Sequence, residues 1–215
     1  MAIESIAIIP DGTRRWSKRE RLSLLDGYHH AFDNLLNQVD ALARRGVKNI
    51  HLYLFSIYNL RRPIEEIQAC LDAECVFIEN LTKQNYRLSV YGDIDAISQV
   101  HERIANMARN ITSYLRDSQM PVIHLYIGYS FHHHIESILR YESSQSSILA
   151  ALTESKLDIV IRTGYAITLS DFLPIESRYA QIYFLPILFN DLSVLQLMEL
   201  CDKFDQGRFD LKYGE

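Results

Sequence analysis

The feature that most restricts what this chain can fold into is a regular alternation. Short β-branched runs take turns with stretches whose apolar residues recur at helical spacing. Ser5–Ile9, Asn49–Phe55, Arg87–Tyr91, Val122–Ile127, Leu157–Ile161 and Gln181–Phe184 read as strands. Between the first two, Ala31, Leu35, Val39 and Leu42 mark one face of a helix, and Gly46 supplies its stop signal. Glu65–Asn80 and Ile97–Leu115 read as further helices, and His134–Leu139 opens another. This order predicts an α/β fold: a central, mostly parallel six-stranded sheet flanked by helices. Without an internal repeat or a low-complexity linker, residues 1–215 are expected to form a single domain. The polar stretch Glu142–Ser147 reads as a loop or a helix break.

Composition narrows the function classes. Hydrophobic residues make up 48% and charged residues 23%, which suits a packed globular chain rather than a disordered one. A net charge of -5 argues against broad nucleic-acid binding but leaves room for a local basic patch that holds phosphate. Cys70, Cys75 and Cys201 are too few and too scattered for a disulfide framework, and the Cys70/Cys75 pair lacks the second pair of ligands a zinc site needs. They read as reduced packing residues of a cytoplasmic protein. The run Ile6-Ala7-Ile8-Ile9 is too short for a signal core, and no stretch reaches the length of a transmembrane segment.

In open parallel sheets, ligands sit outside the carboxyl ends of the strands. The segments to inspect are therefore Pro10–Trp16, Ser56–Pro63, Gly128–His134 and Arg162–Phe172. In the first, Asp11 can hold Mg²⁺ through oxygen, Gly12 lets the backbone approach a ligand, and Arg14 and Arg15 can fork onto phosphate oxygens. The same residues would also serve an ordinary turn with a helix-capping Asp. In the second, Asn59, Arg61 and Arg62 stand at a strand end before Pro63; a solvated charge pair is the alternative. In the fourth, Arg162 leaves an apolar strand, which is costly unless something anionic pairs with it. Together these segments hold the groups expected for two diphosphates and one metal ion. His132, His133 and His134 are adjacent and cannot readily converge on one ion.

Four blocks then resemble the cis-prenyltransferases, the undecaprenyl diphosphate synthase family. Ile8–Trp16 is similar to the family's M-D-G-N-G-R-W-A, and Leu52–Pro63 to L-Y-A-F-S-x-E-N-W-x-R-P. Asp158–Phe172 resembles D-L-x-I-R-T-G-G-E-x-R-L-S-N-F, and Tyr179–Phe184 resembles Y-A-E-L-Y-F. The resemblance implies the cis-prenyltransferase fold and a Mg²⁺-dependent prenyltransferase that joins isoprenoid diphosphates. It implies that Asp11 handles the metal and the allylic diphosphate. Gly12, Thr13, Arg14 and Arg15 would lie in the loop that holds that diphosphate, with Arg62 as a further ligand. Asn59 matches a residue linked to proton removal. Arg162 and Ser170, with Thr168 beside them, match the site of the acceptor, isopentenyl diphosphate. Trp16, Tyr28, Leu54, Phe55 and Tyr165 are expected to line the substrate pocket. Family members are homodimers, and Phe184–Phe189 with Val194–Met198 are apolar enough to supply the contact.

The departures from the family pattern gather at the diphosphate sites. The family's Gly-His is Gly27-Tyr28 here, and its Glu before Asn is Tyr58. Its Gly-Glu-x-Arg is Tyr165-Ala166-Ile167-Thr168, so a phosphate-binding arginine is absent, and its metal-linked Glu is Gln181. Leu54 replaces a small residue and should narrow the chain-elongation tunnel. The expectation is therefore a synthase that joins short allylic diphosphates such as dimethylallyl diphosphate, head to middle, into an irregular short terpenoid diphosphate of the lavandulyl or cyclolavandulyl kind. Candidate bases are the acceptor's own diphosphate, Tyr58, or a histidine near Tyr28. The alternatives are Z-specific short-chain elongation with isopentenyl diphosphate and a non-catalytic partner subunit; the latter lose the first-block acid that this chain keeps as Asp11.

Overall fold

The computed structural model describes residues 2–111, 120–142, 144, 146–148, 150 and 156–207. Strands β1 (Ser5–Ile9), β2 (Asn49–Ser56), β3 (Arg87–Tyr91), β4 (Val122–Tyr129), β5 (Ile159–Arg162) and β6 (Gln181–Phe184) form one six-stranded sheet in the order β3-β4-β2-β1-β5-β6. Every pairing is parallel, so the expected sheet is present and more uniform than "mostly parallel". Strands of such a sheet are buried on both faces, and β1 and β5 are buried along their whole length.

Helices α1 (Thr13–Glu20) and α2 (Leu24–Arg45) follow β1. The Ser23 side chain accepts from the Asp26 N–H to cap α2, and Gly46, with φ 93°, closes it. Helix α3 (Ile64–Lys83) follows β2 after the short 3₁₀ turn Ile57–Arg61. It carries a buried stripe that includes Ile67, Cys70, Leu71, Glu74, Phe77 and Ile78. This stripe joins Leu35, Val39 and Leu42 of α2 in the main core over one face of the sheet. A smaller aromatic core, built on Tyr53, Tyr126, Tyr129 and Phe172, covers the other face.

Three elements differ from expectation. The helix expected at Ile97–Leu115 is split into α4 (Ile94–Ser98) and α5 (Glu102–Ile111). Side chains cap both pieces: Asp93 accepts from the Ala96 N–H, and His101 Nδ1 accepts from Ile104 N–H at 3.3 Å. Residues 112–115 of that expectation lie outside the described residues. The fifth strand begins at Ile159, because Asp158 uses its carboxylate to accept from the N–H groups of Glu4 (2.8 Å) and Ser5 (2.9 Å) at the mouth of the ladder. Helix α6 (Phe131–Tyr141) starts three residues earlier than expected, capped by Ser130. Within the stretch Glu142–Ser147, Ser143 and Gln145 lie outside the described residues. The last helix is α7 (Val194–Asp205), opened by a capping box of Ser193 and Gln196.

Candidate active site

The carboxyl ends of β2, β1 and β5, adjacent in the sheet, open into a cleft of about 850 Å³. Chain reversal places it there: β2 leaves β1 on one side and β5 on the other, which parts the following loops. Five cations, Arg14, Arg15, Lys18, Arg62 and Arg162, face two carboxylates, Asp11 and Asp171. This is a strongly positive pocket in a chain of net negative charge.

Asp11 stands directly after β1. Its backbone N–H donates to Thr163 Oγ1 at 2.9 Å, and the same hydroxyl donates to the Asp11 carbonyl at 2.9 Å. Thr163 is fully buried and so staples the end of β5 to the end of β1. The Asp11 carboxylate accepts from Arg162 Nη2 at 3.1 Å and from Arg15 Nη2 at 3.3 Å. Arg15 also donates to the Gly164 carbonyl at 2.7 Å. Arg162 donates through Nη1 to Ser170 Oγ at 2.6 Å and to the Thr168 carbonyl at 2.7 Å. The buried arginine therefore has the anionic partner its position demands, yet its Nε remains without a hydrogen-bond partner. Arg14, on the outer side, donates to Glu66 at the start of α3 at 2.8 Å.

Two glycines make the close approach of these loops possible. Gly12 caps α1 with φ 118°, and a Cβ there would stand 2.8 Å from the Leu188 side chain. Gly164 has φ 88°, and a Cβ there would stand 2.7 Å from Asp11 Cγ and 2.8 Å from Arg15 Nη2. The segment after it is wound tightly, with positive φ at Tyr165, Ser170, Asp171 and Leu173. Tyr53 steadies this segment by donating to the Ser170 carbonyl at 3.2 Å and by stacking on Phe172 at 4.4 Å. Burial pushes the Tyr53 phenol up to about 12, so it stays a donor at neutral pH.

The cleft brings together Asp11, Gly12, Thr13, Arg14 and Arg15 from the first predicted segment. Leu54, Tyr58, Asn59 and Arg62 line it from the second, with Ser170 and Arg162 from the fourth and Tyr28 from α2. Thr168 is beside it, its hydroxyl 3.3 Å from that of Ser170. Tyr165 stands at the rim, 61% exposed, its ring 5.6 Å from the Arg15 guanidinium.

Two expected pocket residues lie elsewhere. Trp16 falls on the buried face of α1, donates to Asp191 at 3.0 Å and stacks on His30 at 4.5 Å. Phe55 is fully buried in the main core. The ladder with β4 shifts register between Tyr53 and Phe55, which breaks the usual alternation and leaves Leu54 and Phe55 both in that core. Lys18, Asp171, Tyr53 and Cys70 line the cleft and were not anticipated. Lys18 could have been read from its i, i+4 spacing with Arg14. The histidine run is dispersed: His132 lies 3.6 Å from Glu136, His133 4.0 Å from Asp93 and His134 3.4 Å from Glu176.

A cleft of this kind can hold anionic phosphates against forked arginines while an apolar end takes a hydrocarbon tail. Its donor set also fits one Mg²⁺. That ion uses one or two carboxylates and completes its shell with water and substrate phosphate, and Asp11 is a partly exposed carboxylate beside the arginines of the cleft.

Comparison with known proteins agrees with this architecture. A "Ditrans,polycis-undecaprenyl-diphosphate synthase ((2E,6E)-farnesyl-diphosphate specific)" of Yersinia pseudotuberculosis is 29% identical over 209 residues, covering 87% of this chain and 81% of its own. An isoprenyl transferase of Treponema denticola is 26% identical over 236 residues, covering 99% and 97%. The crystal structure of lavandulyl diphosphate synthase from Lavandula x intermedia, in complex with dimethylallyl diphosphate, superposes with a TM-score of 0.79 at 19% identity over 94% of this chain and 95% of that one. It shares the fold. The sequence profile of the undecaprenyl diphosphate synthase family matches residues 9–210, and the chain belongs to that family, the cis-prenyltransferases.

Proposed function

We propose that the cleft joins two short allylic diphosphates, dimethylallyl diphosphate first among them, head to middle. The product would be an irregular short terpenoid diphosphate. The observation that carries this reading is the shape of the cleft. Its lining joins five cations with the buried apolar side chains Tyr28, Leu54 and Cys70, which belong to the same core region as the stacked pair Phe32 and Phe77. The acceptor side points the same way. Thr168 supplies no charge where the family pattern has an arginine, and exposed Tyr165 and Ile167 flank the segment instead, while Gln181 lies at the amino end of β6, paired with Ile159 and away from the cleft.

In this reading Arg14, Arg15, Lys18 and Arg62 hold the donor diphosphate. Asp11 and the substrate phosphate would hold Mg²⁺, which when bound would supply Lewis-acid charge where the leaving group develops its own. The allylic C–O bond breaks and its electron pair leaves with the diphosphate, which the arginines stabilise. The acceptor double bond supplies the electrons of the new C–C bond. The resulting cation loses a proton to a base, for which the candidates are the acceptor's own diphosphate, Tyr58 of the cleft lining, or a histidine near Tyr28. Arg162 and Ser170, already joined at 2.6 Å, hold the acceptor diphosphate. The protein is expected to work in the cytoplasm as a homodimer through the edge strand β6 and α7, where Phe184, Ile182 and Leu195 are exposed. Leu188, Phe189 and Leu197 of the sequence-predicted contact are instead buried within the chain. Light scattering at micromolar concentration that reads one chain mass would count against the dimer. None of the described helices is long and apolar enough to cross a membrane.

Mass spectrometry of the dephosphorylated product tests the coupling mode. Dimethylallyl diphosphate alone should give a ten-carbon product. Strict dependence on isopentenyl diphosphate would leave the second reading, Z-specific elongation with early termination. That reading draws on the curated relatives, one of them named as a farnesyl-diphosphate-specific undecaprenyl synthase.

A further inference from the structure

Helix α3 carries a carboxylic acid that nothing in the fold accounts for. Glu74 is completely buried, and neither carboxylate oxygen has a hydrogen-bond partner. A buried polar group in that state is costly, and native proteins hold few of them. Desolvation pushes its pKa well above the ordinary carboxyl range, which favours the neutral acid.

Its position relative to the cleft is specific. The cleft runs down α3 from Arg62, just before the helix, to Cys70 on its second turn. Glu74 is four residues further along the same stripe, about 6 Å deeper at 1.5 Å per residue. Side chains on a helix lean toward its N-terminus, so the Glu74 carboxyl leans back toward Cys70 and the cleft floor. Burial and the neighbouring Glu74 push the Cys70 thiol up, and Tyr28 lines the cleft beside it. Below Glu74, Phe77 stacks on Phe32 of α2 with ring centroids 5.3 Å apart. The order of depth is therefore Tyr28 and Cys70, then Glu74, then the Phe32–Phe77 pair.

We propose that Glu74 sets the depth of the prenyl pocket and so the length of tail the enzyme accepts. This rests on the reading of the cleft as a prenyl diphosphate site. A five-carbon tail ends above Cys70. A longer tail must displace the floor and keep the two carboxyl oxygens, already unsatisfied, against hydrocarbon, whereas opening the floor without a tail would admit water to them. An aliphatic residue at this position could repack around the tail; an acid cannot do so without that penalty. Glu74 acts on tail length only, because it is remote from the cationic mouth.

Calorimetric titration of three probes, inorganic pyrophosphate, dimethylallyl diphosphate and farnesyl diphosphate, tests this without turnover when EDTA is present. Glu74→Ala should raise affinity for farnesyl relative to dimethylallyl diphosphate by about tenfold or more, the order expected on relieving one buried unpaired polar group. Pyrophosphate binding should not change. Glu74→Gln keeps size and polarity and should keep the wild-type ratio. Glu74→Leu removes the polar atoms with less loss of volume and should shift the ratio in the same direction, should the Ala variant be poorly folded. An unchanged ratio in folded Ala and Leu variants, or a Gln variant that behaves like them, overturns the inference. Wild-type protein that binds pyrophosphate but neither prenyl diphosphate any tighter defeats the proposed function, and this inference with it.

Discussion

Arg162 is where the two sides of the cleft meet, since one guanidinium contacts the Asp11 carboxylate, the Ser170 hydroxyl and the Thr168 carbonyl. Removing it takes away charge and fork geometry together, whereas removing the Ser170 hydroxyl takes away one neutral acceptor. Arg162→Ala should therefore lower kcat/KM by roughly 2–4 kcal/mol and Ser170→Ala by about 1 kcal/mol. Steady-state kinetics on folded variants check this, and a reversed order would contradict the assignment of Arg162 to the acceptor. Gly164→Ala is expected to be severe for a different reason. Its φ of 88° strains any side chain, and the new Cβ would press on Asp11 and Arg15. A loss of at least about 1 kcal/mol in stability with a larger loss of activity is the expected result, read from denaturant midpoints and turnover. At this scale the sequence marked charged residues that the structure brings together in the cleft, as at Asp11, Arg15 and Arg162. It misled at Trp16, whose direction depends on which face of α1 is buried, and at Phe55, turned inward by a register shift that no local pattern announces.

Among elements, the pairing of β2 with β4 places His51 opposite His124. Their rings stack at 4.2 Å with 7° between planes. His51 Nδ1 lies 2.9 Å from the Tyr126 hydroxyl; the His124 nitrogens lie 3.1 Å from the Tyr91 hydroxyl and 3.2 Å from Asn49 Oδ1. Burial pushes His51 well down and His124 down to about 4, so the folded pair stays neutral while an unfolded chain takes up protons below about 6.5. Stability should accordingly be lost as pH falls from about 6.5 toward 4. For His124 the loss is about 2 kcal/mol at pH 5, and His51 adds to it in the same direction. The raised Glu74 works in the opposite sense, its contribution being lost as pH rises above the ordinary carboxyl range. Denaturation midpoints at pH 7 and pH 5, compared with a His51→Gln/His124→Gln double variant, isolate the histidine part. A variant that keeps the full pH dependence would show that the pair is not its source. The strands themselves were legible from β-branched runs, but the neighbour relations that stack these two rings were not, because strand order is decided by crossovers far apart in sequence. The split of the α4–α5 region was equally hidden, since His101 acts there as a cap rather than as part of a helical face.

Over the whole molecule, the sheet order sets the site. β1 lies between β2 and β5, so loops that are far apart in the chain converge on Asp11. Alternating strands and helices were enough to foresee ligands at the carboxyl ends, and the motif blocks were enough to foresee which residues gather there. The floor of the cleft was not foreseeable in the same way. The sequence marked Glu65–Asn80 as a helix and Cys70 as a packing residue, but only the packing of α2 and α3 shows Glu74 buried beside Cys70. The central claim is that this chain by itself breaks the allylic C–O bond in that cleft. Pyrophosphate release by purified protein supplied with dimethylallyl diphosphate and Mg²⁺ measures that event directly. Wild type should release pyrophosphate as product forms, and folded Asp11→Ala should fall by at least about 10²–10³, the scale of removing a group that stabilises developing charge. No release from wild type, with or without isopentenyl diphosphate, or undiminished release with normal Mg²⁺ dependence from Asp11→Ala, would contradict the account.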